Sequence, residues 1–242
     1  MSKFIFGIHP VIEAIKNGVE INKILIRKGL RSDAIGQLIN MAKPFNIPVQ
    51  FIPIERLNKF TRKNHQGVLA IVSPVEYQPW NEILNRVFAD GKDPLFLVLD
   101  GITDVRNFGA IARTAECAAV DCIIISTTNN PGITADAVKT SAGALNSIPV
   151  SRVKNLPQTI EELKNSGLNI VACTSSQAKN YTQHDYTQPL AIIMGSEDKG
   201  IDKENLKFAD QKVGIPILGQ LDSLNVSVAT GIVLYEVLRQ RK

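Results

Sequence analysis

A chain of 242 residues, 44% of them hydrophobic, is long enough to form one large hydrophobic core or two smaller ones. It contains no run of about 18 apolar residues, which argues against a membrane-spanning helix, and its N-terminus does not resemble a signal peptide. Residues 1–79 have 11 Lys and Arg against 5 Asp and Glu, a net charge of +6, whereas the whole chain carries +4. This asymmetry indicates a polyanion-binding module beside a separate domain, although a charge of this size also occurs simply for solubility.

The cysteines and histidines of the sequence indicate neither a disulfide pattern nor a metal site. The three cysteines, Cys117, Cys122 and Cys173, have no pairing pattern. They are typical of reduced core thiols, and we expect a cytoplasmic protein. The three histidines lack metal-ligand spacing, so the sequence predicts no metal site.

Residues 1–75 are predicted to form a small α/β domain, because helical and strand patterns alternate. The predicted helices cover residues 11–17, 32–42 and 55–60, and the predicted strands cover residues 23–27, 48–52 and 68–72. Ser32 is a suitable N-cap for the second helix.

A basic loop precedes the last predicted strand of this domain. It contains Arg56, Lys59, Arg62 and Lys63, followed closely by His65. Such a loop can place positive charge on phosphates and polar groups on exposed base edges. The same composition also suits a solvated turn.

Residues 76–93 are interpreted as a linker with one amphipathic helix at 80–88, and residues 94–242 as a second α/β domain. The predicted strands lie at 96–99, 122–126, 149–153, 170–173, 191–194 and 213–218, and the predicted helices at 107–119, 134–144, 160–165 and from 223 onward. Continuous apolar strands indicate a parallel sheet that is covered on both faces.

Two loops after predicted strands contain polar residues. The loop at 100–106 leads into a helix rich in Gly and Ala, with Asn107 as its predicted N-cap and Arg113 either half-buried or on the outer face. The loop from Gly195 to Gly200 is neither a P-loop nor a dinucleotide fingerprint. Gly195 allows close approach to a ligand, and Glu197 adds a carboxylate.

A third loop precedes the last helix, where Ser223 is the predicted N-cap and Asn225 follows it. In an open α/β sheet, ligands bind in the crevice at such strand ends. The pattern fits an ordinary capped helix equally well.

Together these loops resemble the three motifs of the SpoU/TrmH family of RNA ribose 2′-O-methyltransferases, in the SPOUT superfamily. The matching residues are Asn107 with Arg113, Gly195 with Glu197 and Gly200, and Pro216 followed by Ser223-Leu-Asn225-Val-Ser227. The resemblance extends to the N-terminus, where Gly7-Ile-His9-Pro-Val and His65-Gln-Gly67 look like the family's ribosomal-protein-like RNA-binding domain. The arrangement is most similar to the branch of 23S rRNA guanosine-2′-O-methyltransferases.

The resemblance implies a small N-terminal ribosomal-protein-like RNA-binding α/β domain and a C-terminal SPOUT α/β domain with a trefoil knot. It also implies S-adenosylmethionine as cofactor and a homodimer. The implied catalytic residues are Arg113, Asn107, Glu197, Ser223 and Asn225. The implied cofactor-binding residues are Thr174, Ser175, Gly195, Gly200, Ile215 and Leu224. The implied RNA-binding residues are His9, Arg56, Lys59, Arg62, Lys63 and His65.

The expected reaction is methyl transfer to a ribose 2′-hydroxyl in structured RNA, with 23S rRNA as the favoured substrate. The family gives Arg113 the catalytic role, from across the dimer interface. Because arginine is effectively always protonated, we expect it to act electrostatically through the adjacent phosphate. The alternatives are a tRNA 2′-O-methyltransferase, or a non-enzymatic RNA-binding or ribosome-assembly factor that retains the fold.

Overall fold

The chain divides into two compact units. The computed structural model describes residues 4–127, 132–174 and 178–242. The first unit comprises Met1–Glu76 and Pro131–Asp136, and the second comprises Tyr77–Asn130 and Ala137–Lys242. Both units consist of helices and strands, which confirms the α/β fold class.

The first unit is built on a four-stranded mixed sheet. Its strands are Phe4–Phe6 (β1), Ile21–Arg27 (β2), Val49–Ile52 (β3) and Val68–Val72 (β4), and its helices are Ile8–Lys16 (α1), Asp33–Ala42 (α2) and Ile54–Leu57 (α3). The sheet order is β1-β4-β2-β3, and β2 pairs with β3 in parallel whereas the other two pairs are antiparallel. Ser32 caps α2 by accepting from the N–H of Ile35, as predicted. Strand β1 was not predicted, because three apolar residues are too few to show a period.

A segment from the second half of the chain contributes to this first unit. Ile133 is fully buried there, and the side-chain amide of Asn22 donates to its carbonyl oxygen at 2.6 Å. Asn22 is itself only 4% exposed. Nothing in the local pattern predicted this contact, because the two residues are 111 positions apart.

The second unit is built on a seven-stranded parallel sheet. Its strands are Leu95–Asp100 (β5), Cys122–Ser126 (β6), Val150–Val153 (β7), Asn169–Cys173 (β8), Lys179–Asn180 (β9), Leu190–Gly195 (β10) and Gln211–Gly214 (β11). Its helices are Trp80–Ala89 (α4), Val105–Cys117 (α5), Leu156–Asn165 (α7), Lys203–Leu206 (α8) and Val226–Arg241 (α9), and Ala135–Thr140 (α6) begins in the segment of the first unit and continues into the second. The strand order is β7-β6-β5-β10-β8-β11-β9, and each neighbouring pair in this order is parallel.

Both faces of this sheet are covered, which explains the continuous apolar strands. All six residues of β5 are buried. Helices α4 and α7 pack on one face, where Ile83 and Ile160 share a core cluster with Phe96. The segment 76–93, which the sequence suggests as a linker, therefore contributes α4 to the core of the second unit, because the apolar side of this helix is buried. Helix α9 contacts both β10 and α5.

Several predicted boundaries differ from the observed ones. The predicted strand 213–218 ends at Gly214, where pairing with β9 stops one residue after pairing with β8, and Pro216 has no N–H to continue a ladder. The predicted helix 134–144 is shorter, since Ala142 and Gly143 have φ of 51° and 90°. Cys117 is exposed and is therefore not a core thiol.

The chain reverses its direction of strand addition between β5 and β10. From β5 it adds β6 and β7 on one side, then crosses to β8 on the other. The pairing of β5 with β10 ends where Asp100 lies opposite Gly195. The carboxyl edge beside these residues is the topological switch point, where open α/β sheets bind ligands. The trefoil knot stays a prediction from the family resemblance.

Candidate cofactor and catalytic site

A cavity of about 540 Å³ lies at the carboxyl ends of β8, β10 and β11. It is lined by five of the six predicted cofactor-binding residues: Thr174, Gly195, Gly200, Ile215 and Leu224. The sixth, Ser175, lies outside the described residues. Two predicted catalytic residues, Glu197 and Ser223, also line the cavity.

Several lining residues were missed by the sequence analysis. They include Met194, Ile201, Leu206, Ile217, Val226 and Ala229, together with the charged residues Asp198, Lys199, Lys203 and Asp222. The feature that could have identified them is their position, because most lie within a few residues of a strand end at the same edge of the sheet. That signal becomes specific only when the strand order is known.

The Gly195–Gly200 loop closes tightly on itself. The backbones of Ser196 and Gly200 form an antiparallel bridge with N–O distances of 3.1 and 2.9 Å. A Cβ on Gly195 would overlap the backbone atoms of Gly200 and Ile201. Glycine is therefore required at this position because the loop's own backbone passes close to it, whereas the sequence suggested close approach of a ligand.

Asp100 fixes the segment that follows this loop. Its Oδ2 atom accepts hydrogen bonds from the backbone N–H of Asp202 at 2.7 Å and from the side-chain amide of Asn205 at 2.8 Å. Asp100 is 6% exposed, so this carboxylate is buried at the end of β5. Its role was not foreseen, because the partners lie about a hundred residues further along the chain.

Asn225 joins all three motif loops. Its Oδ1 accepts from the backbone N–H of Ser227 at 3.0 Å and so caps α9, which corrects the prediction that Ser223 is the N-cap. Its Nδ2 donates to Oδ1 of Asn107 at 3.0 Å and to a carboxylate oxygen of Glu197. The orientation of the amide is fixed, because a backbone N–H can only donate and a carboxylate can only accept. The same oxygen of Glu197 accepts from the N–H of Val226 at 3.2 Å.

The start of α5 explains why Asn107 is available for this contact. Asp104, not Asn107, is the N-cap of α5, and its carboxylate accepts from the backbone N–H groups of Asn107 and Arg106 at 2.9 and 2.8 Å. These two bonds lower the pKa of Asp104. The side chain of Asn107 is consequently free of the capping role and reaches Asn225.

Arg113 stands apart from this network. It lies six residues after Asn107 on α5, about 9 Å further along the helix axis, and its side chain is exposed. Within residues 4–127, 132–174 and 178–242, no hydrogen bond or ion pair joins Arg113 to Asn107, Glu197 or Asn225. The structure therefore brings three predicted catalytic residues together and leaves the arginine at the surface.

The residues of the cavity fit S-adenosylmethionine. Apolar side chains such as Ile215 and Leu224 can enclose the adenine ring, and backbone groups of the loops can pair with its edge. The carboxylates of Glu197, Asp198 and Asp222 complement the positive charges of the sulfonium and ammonium groups.

The basic loop of the first unit is only partly exposed. Side chains at five of the predicted RNA-binding positions are exposed, namely His9, Arg56, Lys59, Arg62 and Lys63. The sixth predicted residue, His65, is 7% exposed, so burial prevents a direct contact with RNA. Its Nδ1 accepts from the N–H of Gly67 at 3.0 Å, so its Nε2 carries the proton that bonds to Oδ1 of Asn58 at 2.9 Å. His65 therefore holds the loop in shape.

Neither a metal-binding cluster nor a membrane-spanning helix occurs in the described part of the chain. No group of three or more His, Cys, Asp or Glu side chains there could hold a metal ion. No helix in the same residues is long and apolar enough to cross a membrane.

Comparison with known proteins assigns a family to both units. Residues 94–235 match the SpoU rRNA methylase family, and residues 4–78 match the family described as RNA 2′-O ribose methyltransferase substrate binding. A protein of Staphylococcus saprophyticus, named as a member of the TrmH family of tRNA/rRNA methyltransferases, is 38% identical over 237 residues. The match covers 98% of this chain and 95% of that protein.

Solved structures agree with this assignment. The S-adenosylmethionine-bound rRNA methyltransferase of Sinorhizobium meliloti matches with a TM-score of 0.62 and 26% identity, over 98% of this chain and 87% of that one. The TrmH/SpoU tRNA-modifying enzyme of A. aeolicus matches with a TM-score of 0.58 and 31% identity, over 66% of this chain and 84% of that one. The chain belongs to the SpoU rRNA methylase family and is an S-adenosylmethionine-dependent RNA methyltransferase.

Proposed function

We propose that this protein methylates a ribose 2′-hydroxyl in structured RNA, with 23S rRNA as the favoured substrate. The observation that carries the proposal is the contact of Asn225 with both Asn107 and Glu197 beside the cofactor cavity. Three loops that are distant in sequence converge there on one edge of the sheet. Such convergence is expected of a site that orients a reacting group.

Methylation of a ribose hydroxyl depends more on the positioning of that hydroxyl than on a strong base. A ribose hydroxyl is a poor nucleophile, so the site must align it and stabilise the negative charge that develops on its oxygen. S-adenosylmethionine supplies the electrophilic methyl group. The side-chain amide of Asn225 and the carboxylate of Glu197 are hydrogen-bonded to each other, and together they can orient the ribose. Arg113 can hold the adjacent phosphate and lower the energy of the developing oxyanion, because its planar group donates to two acceptors at once.

We further propose a homodimer in which Arg113 acts on the partner's site. The exposed position of Arg113, away from the cluster on its own chain, supports this arrangement. Helix α9 also presents an exposed apolar stripe at helical spacing, with Val228 51% and Tyr235 55% exposed and Ile232 between them. An exposed stripe of this kind is typical of an association surface. Helices α5 and α9 contact each other, with Gly231 facing Thr114, so one interface could include both.

The share of this chain that each solved structure matches favours ribosomal RNA over tRNA as the substrate. The Sinorhizobium rRNA methyltransferase matches 98% of this chain, whereas the A. aeolicus tRNA-modifying enzyme matches 66%. The higher identity of the tRNA enzyme, 31% against 26%, supports tRNA as the second candidate.

Mapping of 2′-O-methyl groups in RNA from a deletion strain tests the proposal. Alkaline fragmentation with sequencing detects these groups in rRNA and tRNA together, because a 2′-O-methyl blocks cleavage at its own phosphodiester. We expect one position in 23S rRNA to become cleavable and to be protected again by the wild-type gene. Loss of protection in tRNA alone would establish the second candidate, and unchanged protection in both would contradict 2′-O-methylation.

A further inference from the structure

The two faces of the sheet in the first unit are covered by its helices to different extents. On one face, α1 and α2 pack over a large core cluster in which Ile12 and Leu38 join Ile24 of β2. On the other face the cluster is small, and it is closed by α3, a helix of only four residues that contributes Leu57. The helices of the first unit therefore cover only part of this second face, which we call the open face.

The strand register puts two phenylalanines of β1 on the open face. Phe4 lies opposite Ile71 of β4, and Phe6 lies opposite Leu69. Ile71 and Leu69 both belong to the cluster under α3, and residues directly opposite each other on neighbouring strands share one face. Phe4 and Phe6 are therefore neighbours on the open face, with ring centroids 6.3 Å apart, and both are partly exposed.

Phe60 joins this pair from the chain that follows α3. Its ring centroid is 6.4 Å from that of Phe4, and the two ring planes meet at 73°, an edge-to-face contact. Phe60 is 42% exposed, although its side chain is large and apolar. Phe4, Phe6 and Phe60 thus form one contiguous aromatic patch. An exposed apolar patch with a polar rim commonly marks an interaction site.

Basic side chains accompany the aromatic patch. Lys23 of β2 lies opposite Ile71 and so on the same face, and Arg56 and Lys59 are exposed on α3 and directly before Phe60. Among the described residues, none of these three cations has an ion-pair partner. From residue 49 to residue 72 the chain has four basic residues and only one acidic residue. This charge complements a polyanion.

The combination of rings and cations selects one form of nucleic acid. A double helix hides the faces of its bases, so aromatic side chains stack only on bases that are unpaired. Sheets that carry partly exposed aromatic residues bind RNA in this way, with basic groups holding the phosphates. The patch also lies within residues 4–78, the part that matches the substrate-binding family.

We propose that the open face of the first unit binds an unpaired stretch of the RNA substrate, with bases stacked on Phe60 and Phe6 and phosphates held by Lys23 and Lys59. The inference rests on RNA being the substrate in the proposed function, and it does not depend on which atom of that RNA is methylated. It makes an unpaired loop or bulge, rather than a continuous duplex, the element that this unit recognises.

RNA binding by the full-length protein tests the inference without requiring methyl transfer. The probes are a hairpin RNA with a loop of unpaired adenosines and a blunt RNA duplex with the same number of phosphates. Fluorescence anisotropy gives the dissociation constant of each labelled probe over a range of salt concentrations. We expect the wild-type protein to bind the hairpin more tightly than the duplex at every salt concentration.

Substitution of the rings should weaken hairpin binding alone. Phe60→Ala and Phe6→Ala should each reduce affinity for the hairpin by about tenfold, the usual effect of losing one stacked base, and leave duplex affinity unchanged. The slope of log affinity against log salt should stay the same, because no phosphate contact is removed. Phe60→Tyr keeps a ring and should bind as the wild type does. Thermal unfolding verifies that each variant is folded.

Phe51→Ala is the matched control. Phe51 is 47% exposed, similar to Phe60, but it lies opposite Ile26, which belongs to the core cluster on the other face of the sheet. Its substitution should leave both affinities unchanged.

Two results would overturn the inference. Unchanged hairpin affinity in both Phe60→Ala and Phe6→Ala would show that the patch does not bind RNA and is free for a protein partner. Equal losses for hairpin and duplex, or an equal loss in Phe51→Ala, would show that the rings do not stack on unpaired bases. Neither result bears on 2′-O-methylation, which is mapped separately in RNA from the deletion strain.

Discussion

The side-chain amide of Asn225 donates to the side-chain oxygen of Asn107 at 3.0 Å, across 118 positions of sequence. Asn225 begins the last helix, and Asn107 lies in the first turn of α5. The contact ties the helix that closes the fold to the helix that carries Arg113. It also fixes the amide that meets Glu197.

Asn225→Asp separates the capping role of this residue from its role as a donor. Aspartate caps a helix as well as asparagine does, so the free energy of unfolding should change by less than about 1 kcal/mol. The donor to Asn107 and Glu197 is removed, however, and two carboxylates then face each other. We expect single-turnover methyl transfer to fall by about two orders of magnitude or more. Asn225→Ala, which also removes the cap, should reduce stability by a further ~1 kcal/mol and bind the cofactor more weakly.

Arg113→Ala should leave S-adenosylmethionine binding nearly unchanged, because Arg113 does not line the cofactor cavity. Methyl transfer should fall by about two orders of magnitude, the usual effect of removing one transition-state donor. Arg113→Lys should lose methyl transfer as well, since the point charge of a lysine does not reproduce the planar two-point contact of an arginine. Arg106→Ala is the control, because Arg106 is exposed two turns earlier on the same side of α5. A near-normal rate in Arg113→Ala would contradict the proposed mechanism.

Mixing Arg113→Ala with a second inactive variant tests whether this arginine acts across a dimer. When Arg113→Ala and Asn225→Ala chains are co-expressed, a mixed dimer contains one site with both defects and one site with neither. Activity should then return to a substantial fraction of the wild-type value. No recovery in a purified mixed dimer would place Arg113 in the site of its own chain, and a monomeric mass by light scattering would exclude the dimer.

Arg62 and Lys63 should contribute RNA affinity through phosphates. Binding of a 23S rRNA fragment to the Arg62→Gln, Lys63→Gln double variant should be weaker, and the slope of log affinity against log salt should decrease by about 0.7–0.9 for each phosphate that is no longer neutralised. Cofactor affinity should not change. Lys16→Gln is the control, because Lys16 is an exposed lysine of the same unit that pairs with Glu13 at 2.9 Å. An unchanged salt slope would show that the loop is an ordinary solvated turn.

Arg241 fastens the end of α9 to the core of the second unit. Its guanidinium donates to the carbonyl oxygens of Tyr186, Gln188, Asp93 and Pro94 at 2.7–3.3 Å. Burial lowers the pKa of this arginine. Arg241→Ala should lower stability by about 3 kcal/mol, and Tm by roughly 6–12 °C, because charged hydrogen bonds are removed and carbonyls are left without partners. Lys242→Ala removes the adjacent exposed charge and should leave Tm unchanged within about 1 °C.

Glu236 should make stability depend on acid pH. Two hydrogen bonds from Arg239, at 2.7 and 2.8 Å, lower the pKa of this carboxyl from 4.5 to about 2. A folded-state pKa below the unfolded value stabilises the protein above pH 4.5, and this stabilisation disappears as the pH falls from 4.5 through 2. Melting curves of wild type and Arg239→Gln across that range provide the measurement. The variant should show a smaller decrease of Tm, whereas parallel curves would show that Arg239 does not set the pKa.

The sequence by itself determined most of the longer strands and helices and the identity of the motif residues. Buried strands such as β5 are recognisable from apolar runs alone, and the cap at Ser32 was located correctly because both features depend on neighbouring residues. The cofactor-lining residues Gly195 and Leu224 were found through the resemblance to a family, which depends on residue identity at each motif position.

Only the tertiary structure decided which groups meet. Asn225 rather than Ser223 caps α9, because the amide is held from its other side by Asn107 and Glu197. His65 is buried although its loop is basic, because its two ring nitrogens are used by Asn58 and Gly67. Local sequence patterns depend on interactions between neighbouring residues, whereas these contacts depend on the order of the strands, which brings residues up to 118 positions apart to one edge of the sheet.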